Sequence, residues 1–172
     1  IGHGNEYVIE AIRRQQERIS FVAPLHAISD ITVQYATRLG EITPTGLKTM
    51  KLLSGGSEAT ESAMKFARQY HRQIGNYARY KIISLYKGFH GATMGAMSAS
   101  GLSGPRKDVF APFLEGFVHI QPPNCFRCPY NMKYPSCSCL CAYMLETTIN
   151  SEGPGSVAAF IIEPISNTGG IV

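Results

Sequence analysis

No apolar run in the chain approaches the roughly 20 residues that a bilayer-spanning helix needs, so nothing in these residues points to a membrane protein. The opening Ile1-Gly2-His3-Gly4 lacks a charged segment followed by an apolar one, and a secretory signal is not expected. Charged residues make up only 16% of the chain against 44% hydrophobic ones, which argues for a globular domain and against a disordered tail. A concentrated basic patch is missing too. The net charge is +4, and the densest basic cluster, Arg13, Arg14 and Arg18, falls among Glu10 and Glu17 on an expected helix. That arrangement reads as a solvated face, not a nucleic-acid footprint. Aspartate is scarce, with Asp30 and Asp108 alone, and neither falls at an expected strand end. The five cysteines all lie between Cys125 and Cys141. An odd count without a signal predicts reduced thiols in a cytosol-like compartment, hence a soluble cytoplasmic protein. The length of 172 residues suits one domain with a core of its own.

Helical spacing appears over residues 5–19, through Val8, Ile12 and Ile19, and over residues 30–42, through Ile31, Tyr35, Leu39 and Ile42. Pro44 and Gly46 break the second run. Residues 49–53 read as a short strand, and a long helix is expected from Ser57, with Ala59, Ala63, Phe66, Ala67, Tyr70 and Ile74 on its apolar face. Further strands are expected at residues 81–86, around residues 116–121, and at residues 157–162, the last apolar on both faces. A glycine-rich stretch runs from Gly88 to Gly104, residues 122–136 form a loop, and a helix covers roughly 140–149. Helices alternating with short apolar strands imply an α/β fold with a mostly parallel sheet flanked by helices.

The segment with most chemical content is Leu52-Leu53-Ser54-Gly55-Gly56-Ser57-Glu58. A strand, a two-glycine turn and a helix opening on serine form an anion cup, because glycines admit close approach of backbone amides and the first free N–H groups of the helix point outward. No lysine follows the glycines, so this is not a nucleotide-binding P-loop, and the spacing is not that of a dinucleotide fingerprint. A plain strand-to-helix turn with a serine cap accounts for the same residues. Two other segments stand out. Tyr86-Lys87-Gly88-Phe89-His90-Gly91-Ala92-Thr93 offers an aromatic and a histidine in a glycine-rich loop, and Ile162-Glu163-Pro164 puts a carboxylate at the end of an apolar strand, where open α/β sheets bind ligands.

Taken as an ordered set, these segments resemble class III aminotransferases, enzymes that use pyridoxal 5'-phosphate. Ser54 to Glu61 followed by Ala63-Met64-Lys65-Phe66-Ala67-Arg68 is similar to that family's S-G-S-E-A-x-E…A-x-K-x-A-R segment. The Tyr86 to Thr93 segment is similar to Y-H-G-[aromatic]-H-G-x-T, and Phe160 to Gly170 to the E-P-[IV] strand end. Gly2-His3 ahead of Val8 and Ala11-Ile12 matches the family's entry helix, so the likeness runs through nearly the whole chain. It implies the fold type I, aspartate-aminotransferase-like large domain. It implies cofactor-binding roles for Gly56 and Ser57 at the phosphate, Phe89 stacked on the pyridine ring, His90 lining the site or holding its loop, and Glu163 at or behind the site. Offset ring stacking of the kind expected of Phe89 contributes about 0.5–1.5 kcal/mol beyond burial.

The same resemblance assigns the Schiff-base lysine and the pyridinium aspartate to segments downstream of Val172, and Lys87 is not that lysine. Residues 1–172 are then a partial large domain, without the family's N-terminal segment, catalytic-lysine region and small C-terminal domain, and are expected to be inactive alone. Thr168 stands where some members carry a second, substrate-gating glutamate. The implied activity of the intact homodimer is transfer of an amino group from an amino donor, of the omega-amino type, to a 2-oxo acid. The alternatives are another pyridoxal phosphate reaction on the same fold, such as a decarboxylase, aminomutase, racemase or phospho-lyase, or a non-catalytic interaction fragment. Cys125 and Cys128 have zinc-knuckle spacing, and Cys137, Cys139 and Cys141 could add thiolates. Only eight residues separate the two groups, with Pro129 and Pro135 among them, so reduced thiols in a packed loop are the preferred reading over a metal site.

Overall fold

A computed structural model of the chain describes residues 2–23, 25–102 and 104–171. They fall into two compact units, one running to Lys51 and the other starting at Leu52. The first holds α1 (Glu6–Arg18) and α2 (Asp30–Ile42). Asn5 caps α1 by accepting from the Val8 amide at 3.2 Å, and Ser29 caps α2 by accepting from Thr32 at 3.4 Å. Arg13 pairs with Glu10 and Glu17 along α1, as expected of a solvated charged face. Neither helix contains a buried residue.

The second unit contains α3 (Gly56–Gln73), β1 (Lys81–Leu85), α4 (Met94–Ala99), α5 (Pro105–Asp108), β2 (Phe117–Ile120), α6 (Leu140–Glu152) and β3 (Val157–Phe160). The three strands form one parallel sheet in the order β2-β1-β3, with Ile83 level with Val118 on one side and Phe160 on the other. Side chains alternate across a strand, so β1 feeds two cores. Ile83 and Leu85 join Ile120 and Val157 on the face against which Leu145 and Ile149 of α6 pack. Ile82 joins Met64 of α3 and Ala99 of α4 on the other face. Ser84, fully buried on that second face, donates its hydroxyl to the Ala99 carbonyl at 2.6 Å, meeting both its own need and that of an end carbonyl of α4.

Several sequence expectations change. Residues 47–53 take no regular structure, and Leu52 and Leu53 are exposed; strand-like composition forms no ladder without a neighbouring edge to pair with. The glycine-rich stretch contains one short helix, α4, and a second, α5, follows directly after Gly104. Among the described residues β3 lies at a sheet edge with only Val157 buried, and β1, flanked on both sides, is buried at every residue but Lys81. The stripe of α3 that turns inward is Thr60, Met64, Ala67 and His71, while Phe66, Tyr70 and Ile74 of the expected apolar face are exposed.

Because Ile83 is fully buried between the sheet and α6, Ile83→Ala is expected to lower the unfolding free energy of the intact protein by about 2–5 kcal/mol, read from its urea midpoint.

Candidate functional site

The three parallel strands present their carboxyl ends on one side, and the site assembles there from α3 and the loop that follows β1. Helix α3 starts at Gly56, one residue earlier than expected, with Gly55 as an extended cap at φ −165° and ψ 176° that has no side chain to offer. The first intrahelical bond runs from Ala59 N–H to the Gly55 carbonyl, so the amides of Gly56, Ser57 and Glu58 have no acceptor within the helix. Ser57 is therefore not the cap. Its Oγ turns sideways and accepts from the Ala92 amide at 3.0 Å, which leaves its own O–H to donate.

A cavity of about 390 Å³ is lined by Gly56, Ser57, Thr60, Phe89, His90 and Gly91, a size common for small-molecule sites. Residues distant in sequence meet here because the loop is stitched to α3. Thr60 donates its hydroxyl to the His90 carbonyl at 2.6 Å, and the His90 amide donates to Ser100 Oγ at 2.8 Å. Gly91 has φ +136°, and a Cβ on it would stand 2.6 Å from Ser57 Oγ and 2.9 Å from Ser57 Cα. Only glycine lets the loop lie this close to the cup.

Of the expected site residues, Gly56, Ser57, Phe89 and His90 border this cavity, and Glu163 does not. Glu163 instead accepts from the Phe89 amide at 2.8 Å, fixing the backbone of a residue that lines the cavity. Thr168 donates to the Lys87 carbonyl at 2.6 Å, a second tie between this segment and the loop. His90 is buried, and its Nε2 has no hydrogen-bond partner. Burial pushes its pKa down from 6.5, partly opposed by the Glu163 carboxylate, so the ring is neutral at neutral pH. His119 of β2, not singled out from the sequence, has a buried, unpartnered Nε2 and lies 5.4 Å from the Tyr86 ring. Its pKa is likewise pushed down, by burial first and then by the Lys107 charge.

The other residues that sequence reasoning passed over are Thr60, Glu61 and Gly91, although all three sat inside the quoted motifs. Glu61 accepts from Thr93 Oγ1 and from the Gly95 and Ala96 amides. The cysteines are all free thiols, and Cys125, Cys128, Cys137 and Cys141 line one small apolar recess. Among the described residues no three or more histidine, cysteine, aspartate or glutamate side chains are gathered so as to hold a metal ion. None of the described helices is long and apolar enough to cross a membrane.

The family profile described as "Aminotransferase class-III" matches residues 1–172. The chain belongs to the class III aminotransferase family. Among curated relatives of this family, the aminotransferase YhxA of Bacillus subtilis is 36% identical over all of the chain, and a leucine/methionine racemase of Thermococcus litoralis is 31% identical over all of it. Among solved structures, a thermostable (S)-enantioselective omega-transaminase from Thermomicrobium roseum superposes with a TM-score of 0.92 at 38% identity, again over the entire chain. The class III chain spans 37% of the length of YhxA, 38% of that of the racemase and 38% of that of the transaminase.

Two tests follow from this geometry. Gly91→Ala is expected to push the loop off Ser57 and to weaken cofactor retention by the intact protein by about tenfold or more, measured by equilibrium dialysis, in line with the clash of about 1–3 kcal/mol that overpacking brings. The histidines set a pH dependence. Their folded pKa values lie below the ordinary 6.5, so the unfolded chain binds protons that the folded one refuses. Their contribution is present above about pH 6.5 and lost as pH falls, so Tm is expected to drop between pH 7.5 and 5.5, and less steeply in His90→Asn and His119→Asn.

Proposed function

We propose that the intact protein is a pyridoxal 5'-phosphate-dependent aminotransferase that moves an amino group from an omega-type amino donor to a 2-oxo acid, and that residues 1–172 are part of its cofactor-binding large domain. One observation carries this reading: Gly56 and Ser57 from one motif and Phe89 and His90 from another border the same cavity at the carboxyl edge of a parallel sheet. Membership of the class III family brings pyridoxal phosphate as the cofactor.

The residues present fit that group. A dianionic phosphate ester suits the unbonded amides of Gly56, Ser57 and Glu58 and the free O–H of Ser57, at the positive end of an 18-residue helix. A flat heteroaromatic ring suits Phe89, whose amide is fixed by Glu163. His90 holds the loop beside the cavity, its carbonyl accepting from Thr60 and its amide donating to Ser100. When bound, the cofactor supplies an electron-withdrawing ring that stabilises negative charge on the carbon beside the amino group. This chain's residues bind and orient: the helix end holds the anion, Phe89 sets the ring plane, and the packed loop keeps water from one face. The Schiff-base lysine and the aspartate for the ring nitrogen are assigned to segments downstream of Val172, as is recognition of the donor.

A homodimer is the proposed working state, in the cytoplasm. In support, Tyr7, Phe21, Leu25 and Ile42 of the first unit are all at least 70% exposed, which is apolar surface of the kind that subunit interfaces cover. A second reading, amino acid racemisation, is favoured by the likeness to the leucine/methionine racemase of Thermococcus litoralis.

The deciding experiment is product analysis on the intact protein loaded with pyridoxal phosphate. Terminal amines such as 4-aminobutyrate, β-alanine and ornithine would be offered with and without pyruvate. Alanine formed only when donor and pyruvate are both present is the expected result; racemisation of an amino acid without any acceptor would establish the rival. Ser57→Ala is expected to weaken cofactor binding about tenfold or more, since hydrogen bonds to charged groups contribute about 1.5–3 kcal/mol.

A further inference from the structure

Two links between α3 and the loop, Ser57 with Ala92 and Thr60 with His90, lie at the cavity itself. The third lies one helical turn below Ser57 and does not border the cavity. There Glu61 Oε1 accepts three bonds at once, from Thr93 Oγ1 at 2.5 Å, from the Gly95 amide at 2.9 Å and from the Ala96 amide at 3.2 Å. The last two are free amides in the first turn of α4, whose own cap residue, Thr93, makes no side-chain capping bond. Helix α4 is thus capped by a carboxylate delivered from another helix. The approach is built in, because a Cβ on Gly95 would stand 2.8 Å from that same Oε1.

We propose that Glu61 is a positioning residue for the cofactor, fixing the span between the phosphate-binding end of α3 and the ring-bearing loop at Phe89; this rests on the pyridoxal phosphate reading above. The cup amides at Gly56 and Ser57 are on the same rigid helix as Glu61. The loop from Phe89 to Thr93 is held at its start by Glu163 and at its end by Glu61. Glu61 therefore sets where the loop ends relative to the helix, and with it where Phe89 stands relative to the cup. The Thr93 bond holds its carboxyl below the usual range, and the Ala96 and Gly95 amides act in the same direction, so it is ionised wherever the enzyme works.

A ligand with two anchored ends binds more tightly than its halves only when the two subsites are correctly spaced. A residue that sets spacing must therefore affect the joined ligand and leave the halves alone, whereas a merely structural cap affects all ligands or only thermal stability. The test uses the intact, cofactor-free protein and three probes without a reactive aldehyde: 4-deoxypyridoxine, inorganic phosphate and 4-deoxypyridoxine 5-phosphate. In Glu61→Ala the joined probe is expected to weaken about tenfold or more while each half stays within about twofold, with Glu61→Gln in between because its amide oxygen still accepts without charge. Thr93→Val should lower the joined probe's affinity in the same selective way. Unchanged affinity for the joined probe, or equal weakening of all three ligands, overturns the proposal. If Glu61→Ala does not fold, the Glu61→Gln comparison decides alone by the same criterion. Should the unsubstituted protein bind the joined probe no more tightly than phosphate, the pyridoxal phosphate reading itself falls, and the role of Glu61 falls with it.

Discussion

The face of α3 formed by Ser57, Thr60, Glu61 and Met64 is the contact on which the site depends. These residues recur at the spacing that puts side chains above one another on a helix, and each finds a partner outside α3. Met64 enters the core against Ile82 and Ala99, and the three polar residues above it bind the loop that leaves β1. One helix thereby does two jobs at different heights. Its lower turns are anchored to the sheet by apolar burial, and its first turns are held to the loop by hydrogen bonds that tolerate little displacement. A loop of small residues would otherwise have many conformations available, at a conformational cost of about 1–2 kcal/mol per residue to fix. Glycine at position 91 lets the backbone come close enough for those bonds to form.

The sheet supplies direction. Parallel strands bring all their carboxyl ends to one edge, so the segments after β1 and β3 emerge side by side. That is why Glu163, far from Phe89 in sequence, can accept from its amide, and why Thr168 can reach the Lys87 carbonyl. Glu163 acts through the backbone of the loop and touches the cavity only by proxy. The histidines belong to the same edge. His90 and His119 are kept neutral by burial, and the Nε2 atom of each is buried without a hydrogen-bond partner.

Sequence patterns located α3, α6 and the three strands of the sheet to within a few residues but not the short helices α4 and α5, and the three motifs taken in order pointed to the family. They did less well wherever a residue's environment came from elsewhere in the chain. Residues 49–53 had strand composition and no edge to pair with. Of the apolar face expected on α3, Ala67 turns inward but Phe66 and Tyr70 do not, and Thr60, Met64 and His71 turn inward with it, the polar two because they have partners on the loop and sheet. Ser57 looked like a cap for its own helix and instead accepts from the loop.

Local chemistry was thus legible from the sequence alone: two glycines before a helix expose free amides, an aromatic beside His-Gly offers a flat surface, and alternation of helices with apolar strands demands a parallel sheet. These are properties of neighbours in the chain, and spacing reveals them. Which side chains border the cavity, which stand behind it, and that Glu61 caps a helix other than its own were settled only by tertiary structure. Hydrogen bonds between segments distant in sequence depend on where the sheet and its crossovers place each end, and no periodicity along the chain records that placement.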